Sequence, residues 1–281
     1  MEYNYSSVRD REIIDHFRSI AKLYSGNYHD DSPTSHLFST RLKRVFELTG
    51  NIHEKRILDV GCGPGMTVAG TMAKGGKFFG IDLAKEMLLE CVNIFDRLGT
   101  LNLSLGNIKR LPFSEASFDV IFCLGVLEYI PESEIAIQEL YRILKKDGIL
   151  IVSMQNEFSP YRLWDRHVYR SNIVNRMRKM IWGTRSELLL ERTMSLRKIQ
   201  KLLLNNQFIV KDYLYYNFNL WLRPLDRLFP KLSVFTSQRL EFLCRNKLGV
   251  LGADFIIKAG KYLLFLFLLN LFDYLWMTIG S

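Results

Sequence analysis

The sequence predicts an α/β fold, a mostly parallel sheet with helices on both faces. Two observations carry that expectation. From residue 56 to residue 154, short strands that are apolar on both sides alternate with helix-like segments. Strands of that kind belong to parallel sheets covered by helices. In addition, Arg56–Val60 runs straight into glycines at 61, 63 and 65, which let a chain turn tightly and let a ligand lie against bare backbone.

Each element follows from its local pattern. Val8, Ile13, Phe17, Ile20 and Leu23 recur at helical intervals, and Tyr24-Ser25-Gly26-Asn27 stops that helix. A second helix is expected from Thr34 to about Leu48, before Gly50. After the strand Arg56–Val60, a helix resumes at Val68–Ala73, followed by strand Lys77–Asp82, helix Lys85–Leu98 and a short strand at Leu101–Leu105. Phe118–Leu124 is the next strand, Glu134–Leu144 a helix ending at Lys145-Lys146-Asp147-Gly148, and Ile149–Met154 another strand. Beyond it, Ser195–Asn205 reads as a helix with Ser195 at its N-cap, and Phe208–Tyr216 and Asp254–Ala259 as strands. The expected organisation is an N-terminal helical cap (1–50), a core (51–260) with helical insertions at 156–194 and 218–248, and a hydrophobic C-terminal helix (261–281).

The 281 residues carry 38 basic and 29 acidic side chains, a formal charge of +9 that suggests anionic partners without choosing among them. Four scattered cysteines and five unpaired histidines argue against a disulfide frame or a metal site. With the polar, acidic first residues, they point to a cytoplasmic protein.

The glycine spacing G-x-G-x-G, with Pro64 between the last two, departs from the dinucleotide pattern G-x-G-x-x-G, and no phosphate-loop G-K-[ST] is present. Asp82 ends the second strand, where an acid can accept hydrogen bonds from both hydroxyls of a ribose. Four further stretches complete a series: Phe-Phe-Gly-Ile-Asp (78–82), Gly-Asn-Ile-Lys-Arg-Leu-Pro-Phe (106–113), Ser-Phe-Asp-Val-Ile-Phe-Cys (117–123) and Leu-Lys-Lys-Asp-Gly-Ile-Leu (144–150). With Ile-Leu-Asp-Val-Gly-Cys-Gly-Pro-Gly (57–65), they resemble class I S-adenosylmethionine-dependent methyltransferases, and within these the small-molecule group that includes quinone-ring enzymes. The resemblance is close over about residues 40–155. It implies a Rossmann-like, seven-stranded, mostly parallel sheet and S-adenosyl-L-methionine as cofactor.

Carried over by position, it implies that Asp59, Gly61, Cys62, Gly63 and Gly65 surround the methionine part of the cofactor. Asp82 would hold the ribose, Leu83, Asn107 and Ile108 would meet the adenine, and Cys123 and Leu124 would lie near the amino end. The family usually has Asp where this chain has Asn107. Tyr24 and Tyr28 would cover the cofactor. His29, Glu157 and His167 are weak candidate bases, since each reads better as a loop or surface residue.

Two segments bear on the acceptor. Residues 156–201 hold eleven basic against four acidic side chains, interleaved with Tyr161, Trp164, Tyr169 and Trp182, a mixture suited to RNA or to a lipid interface. Residues 262–279 are almost wholly apolar, and 218–235 mix aromatic and aliphatic side chains with Arg223, Arg227 and Lys231, as in a helix lying in an interface. The expected activity is methyl transfer to an oxygen or carbon of a lipophilic or lipid-linked small molecule, with attachment to the cytoplasmic face of a membrane. The alternatives are an RNA methyltransferase and a non-catalytic cofactor-binding scaffold. RNA is disfavoured because Cys-Leu-Gly-Val (123–126) stands where an Asn-Pro-Pro-Tyr-type element would be needed.

Overall fold

A computed structural model describes residues 7–26, 32–99, 101–169, 171, 176 and 192–261. The expected C-terminal helix, apart from Lys261, lies outside the described residues, as do Tyr28 and His29.

Seven strands form one sheet: β1 (Arg56–Val60), β2 (Lys77–Asp82), β3 (Asn102–Leu105), β4 (Phe118–Leu124), β5 (Leu144–Gln155), β6 (Phe208–Tyr216) and β7 (Asp254–Lys261). Their order is β3-β2-β1-β4-β5-β7-β6, with β7 antiparallel to both neighbours and every other pairing parallel. The burial of β1, β4 and β5 on both faces accounts for their continuous apolar runs, since helices cover each side.

The helices are α1 (Val8–Gly26), α2 (Pro33–Thr49), α3 (Val68–Ala73), α4 (Lys85–Phe95), α5 (Ser133–Ile143), α6 (Pro160–Trp164), α7 (Leu196–Asn205), α8 (Leu225–Leu228) and α9 (Pro230–Leu240). On one face, Leu140 and Ile137 of α5 and Leu203 and Ile199 of α7 pack against Ile121, Leu150 and Phe208. On the other, Val45 and Leu48 of α2 meet Ile57, Phe122 and Ile256. Ser32 and Ser195 cap α2 and α7 by accepting from the amides three residues on, which satisfies donors those helices would otherwise leave bare.

Two boundaries differ from expectation. Leu144 opens β5, so the strand takes in Lys145–Gly148, which the sequence marks as a helix end. The pairing with β4 is irregular there: Phe118 faces Leu144, yet Val120 faces Ile149. Lys145 stays in the strand with its ammonium on Asp119, 2.8 Å away. Lys261 is the last residue of β7 rather than the first of a helix. Among the described residues, no helix is long and apolar enough to cross a membrane.

Phe208 lies fully buried on β6 and meets Tyr141 edge-on at 5.3 Å between ring centres. Phe208→Ala is expected to lower the unfolding free energy by about 3–5 kcal/mol, read from urea denaturation.

Candidate active site

The strand order reverses between β1 and β4, and a crevice opens outside their carboxyl ends. A cavity of about 280 Å³ fills it, bounded below by Val60, Asp82, Leu124 and Gln155, the ends of four neighbouring strands. Its walls come from the loop after β1, the turn after β3, residues 125–130 after β4, and helices α1 and α2.

The loop after β1 is held by its neighbour strand. Gly61 N and Cys62 N donate to Ile81 O at 2.7 and 3.1 Å, and Gly63 N donates to Asp82 Oδ2 at 2.9 Å. Gly61 adopts φ +68°, and a Cβ there would stand 2.4 Å from Val126 Cγ2. Only glycine meets both conditions. Asp82 also accepts from Ala84 N through Oδ1, so each carboxylate oxygen has one backbone bond and a further lone pair. Burial pushes its pKa up, and those amides offset part of the rise.

Asp59, at the level of the loop, is buried and accepts a 2.6 Å bond from Thr67 Oγ1. Burial raises its pKa to about 7, with the Thr67 bond working the other way. The cavity therefore has two carboxylates whose charge is poorly solvated, a setting that favours a ligand bringing hydroxyls or cations.

Tyr24, Asp59, Gly61, Cys62, Gly63, Asp82, Leu83, Asn107, Ile108 and Leu124 all reach this one cavity. Four other candidates do not. A Cβ on Gly65 would point at Cys91 Sγ (2.6 Å) and Phe95 (2.9 Å), so Gly65 serves packing against α4. Its amide is spent on Cys62 O, and Val68 N on Gly65 O, so neither amide is free for an anion. Cys123 points into the core beneath the site, and burial pushes its thiol pKa up. Glu157 lies outside the cavity and pairs with Lys198 Nζ at 2.9 Å. His167 is exposed on the turn after α6.

Several lining residues were not anticipated from sequence. Arg41 of α2 is buried, and its Nε donates to the Tyr216 hydroxyl at 3.0 Å. That is its one hydrogen bond among the described residues, and its Nη1 lies beside Gly125. Burial opposes the charge, but Tyr216, Tyr24, Asp254 and Glu128 outweigh it and raise the guanidinium pKa. Its signal was positional: Arg41 shares the helical stripe of Phe38, Val45 and Leu48, where an apolar residue is expected. Glu128 is also buried in the wall, accepting from Gln155 Nε2 at 3.1 Å. Arg162 and Arg223 close the far end. Arg162 is paired with Asp254 at 2.7 Å, and Arg223 with Asp165 at 3.1 Å and with the Tyr161 hydroxyl at 2.8 Å.

The chain is similar to known proteins. A family model described as a methyltransferase domain matches residues 58–152. The ubiquinone biosynthesis O-methyltransferase of Glaesserella parasuis serovar 5 is 29% identical over 154 residues, 52% of this chain and 65% of that relative. The chain thus spans just under two thirds of the relative's length. Among solved structures, a SAM-dependent methyltransferase of Thermotoga maritima, described as a possible histamine N-methyltransferase, is similar with a TM-score of 0.56 and 18% identity. The match covers 87% of this chain and 98% of that one. The magnesium protoporphyrin IX methyltransferase of Synechocystis PCC 6803, solved with bound SAH, gives a TM-score of 0.59 at 15% identity, covering 90% and 99%. At these identities the two structures show a common fold.

Gly61→Ala is expected to push the loop off Val126 and to cost about 1–3 kcal/mol in stability, measured by thermal unfolding. An unchanged melting temperature would show that the loop adjusts freely.

Proposed function

We propose that this chain, whose residues 58–152 are a class I S-adenosylmethionine-dependent methyltransferase domain, methylates an oxygen or carbon of a lipophilic or lipid-linked small molecule. The carrying observation is one cavity in which a glycine loop and two buried acids face a helical roof with apolar side chains, including Leu37 and Phe38. Similarity to a ubiquinone biosynthesis O-methyltransferase supports an acceptor of that kind.

The donor groups suit the cofactor. Asp82 has lone pairs left for two ribose hydroxyls, and Asp59 stands ready to meet a cation. Arg41, with a guanidinium fork that makes no other hydrogen bond among the described residues, is the partner for the methionine carboxylate. S-adenosylmethionine supplies an electrophilic methyl group on a sulfonium. The chain's work is then to align the acceptor and exclude water, and alignment accounts for much of such an acceleration.

A phenol-like oxygen must lose its proton as it reacts, because its pKa stays near 10 until then. Glu128 takes that role in place of Glu157 and His167. It alone of these is a carboxylate in the cavity wall, and Gln155 orients it.

The acceptor reaches the site from a membrane surface on the cytoplasmic side. Across α8 and α9, Leu225, Leu228, Phe229, Leu232 and Phe235 lie exposed at spacings of three and four, while Asp226, Ser233 and Ser237 face inward. This inverts the usual amphipathic helix. Exposed Arg227 and Lys231 sit among the apolar side chains, as anionic lipid requires. Arg223, just before α8, lines the cavity, so this face and the site are contiguous. RNA is the weaker reading, since several cations of the basic segment are already engaged. Arg162 holds Asp254, Arg166 holds Thr193, Arg192 holds the carbonyls of Ile130 and Pro131, and Lys198 holds Glu157.

Incubation with isotopically labelled cofactor and a panel of catechol and hydroquinone lipids should place the label on one of them. Label appearing on RNA alone would overturn the reading. Glu128→Gln is expected to lower kcat by roughly 10²–10⁴-fold with cofactor affinity unchanged, and wild-type turnover would remove Glu128 as base. Vesicles containing phosphatidylglycerol should carry the protein upward in a density gradient. Paired Leu228→Glu and Phe229→Glu changes should abolish that flotation, and continued flotation would exclude α8–α9 as the docking face.

A further inference from the structure

We infer that Asp10, on the N-terminal helix, is a positioning residue for the adenosine end of the cofactor, acting through Asn107. The inference rests on the reading of the cavity as a methyl-donor site.

Asn107 follows β3, lines the cavity with Ile108, and is nearly buried. Both ends of its amide are committed. Oδ1 accepts from the amide of Lys109 at 2.9 Å, and Nδ2 donates to Asp10 Oδ2 at 3.2 Å. The amide has one orientation that serves both partners, because a backbone N–H needs an acceptor and a carboxylate needs a donor. Lys109 Nζ completes the group, 3.0 and 3.1 Å from the two oxygens of Asp10. Asp10 is only 1% exposed, a burial that is tolerable because a cation and an amide both face its carboxylate.

The pairing explains the departure from the family pattern. An aspartate at 107 would turn a carboxylate oxygen toward Asp10 at the distance where Nδ2 now donates, and two like charges that close repel. Asparagine at 107 and aspartate at 10 are therefore one unit, although 97 residues separate them.

The consequence lies along α1. Asp10, Ile13 and Phe17 follow one helical stripe, and Ile13 and Phe17 line the cavity. Asp10 holds that stripe down on the turn that carries Asn107 and Ile108. Among the helix's other polar ties, Arg9 reaches the Tyr129 carbonyl at 3.5 Å, while Arg18 to Glu86 and Ser25 to Glu90 reach α4. Asp10 thus sets the adenine edge and its cover together, before the cofactor arrives, which lowers the ordering cost of binding.

Calorimetric titration of S-adenosylhomocysteine into the wild type, D10N, N107D and the D10N/N107D exchange separates the outcomes. Binding to the wild type is required by the donor-site reading, and its absence would overturn that reading and this inference together. With wild-type binding present, N107D is expected to bind roughly tenfold more weakly or worse, D10N about three- to tenfold more weakly, and the exchange within about threefold of wild type. Turnover should show a raised KM for the cofactor in D10N, with kcat at saturation within about threefold of wild type. Single variants that bind as well as wild type would overturn the inference. So would an exchange variant that melts like wild type yet binds as weakly as N107D.

Discussion

The reversal of strand order between β1 and β4 is the constraint on which the rest of the molecule depends. Neighbouring crossovers leave that point in opposite directions, so no helix can cover the carboxyl ends of both strands. A crevice is unavoidable there, and three acids border it: Asp59 from β1, Asp82 from β2 and Glu128 beyond β4. Carboxylates so placed would be costly in a closed core. Here they are held by Thr67, by the amides of Gly63 and Ala84, and by Gln155, and they still face a cavity.

The roof obeys a different rule from the floor. The floor is sheet and glycine loop, positioned by backbone hydrogen bonds and by the Asp82 carboxylate on Gly63 N. The roof is assembled from α1, α2, α6 and the chain around Arg223, each tied down by particular side-chain pairs. Arg41 reaches the Tyr216 hydroxyl, Arg162 reaches Asp254, and Tyr161 bonds both Arg223 and Asp226. A relative can thus share the floor while differing in what it accepts.

That division explains what could be read from the sequence. β1 was legible to the residue, since Arg56–Val60 is short, apolar and ended by glycine. The cavity-lining residues named in advance mostly follow strand ends, where position implies exposure to the crevice. What was not legible has local causes. Cys123 and Leu124 are adjacent, but a strand sends neighbouring side chains to opposite sides, so of the two side chains only Leu124 reaches the cavity. Gly65 belongs to the motif yet faces Cys91 and Phe95, a packing role that the motif does not reveal. Glu128 carried no sign of burial and Arg41 only its place on an apolar stripe, because a charged residue reads as solvated until its partners, 27 and 175 residues away, are brought beside it. The start of β5 was hidden by Lys145-Lys146-Asp147-Gly148, whose charge and glycine imitate a helix terminus.

The insertion after β5 leaves and re-enters the fold at a single point. Asn156 bridges Met194, Met194 N donates to Gln155 O at 3.1 Å, and Glu157 N donates to Met194 O at 3.2 Å. Because the two stems lie side by side, the chain between them can lengthen, shorten or be replaced with little strain on β5 or α7, and loop closure costs rise only slowly with length. Gln155, next to those stems, is also the residue that touches Glu128. The molecule therefore has a socket at the rim of its cavity, into which evolution or a protein engineer could fit a different segment and so change the acceptor while leaving the methyl-donor half as it stands.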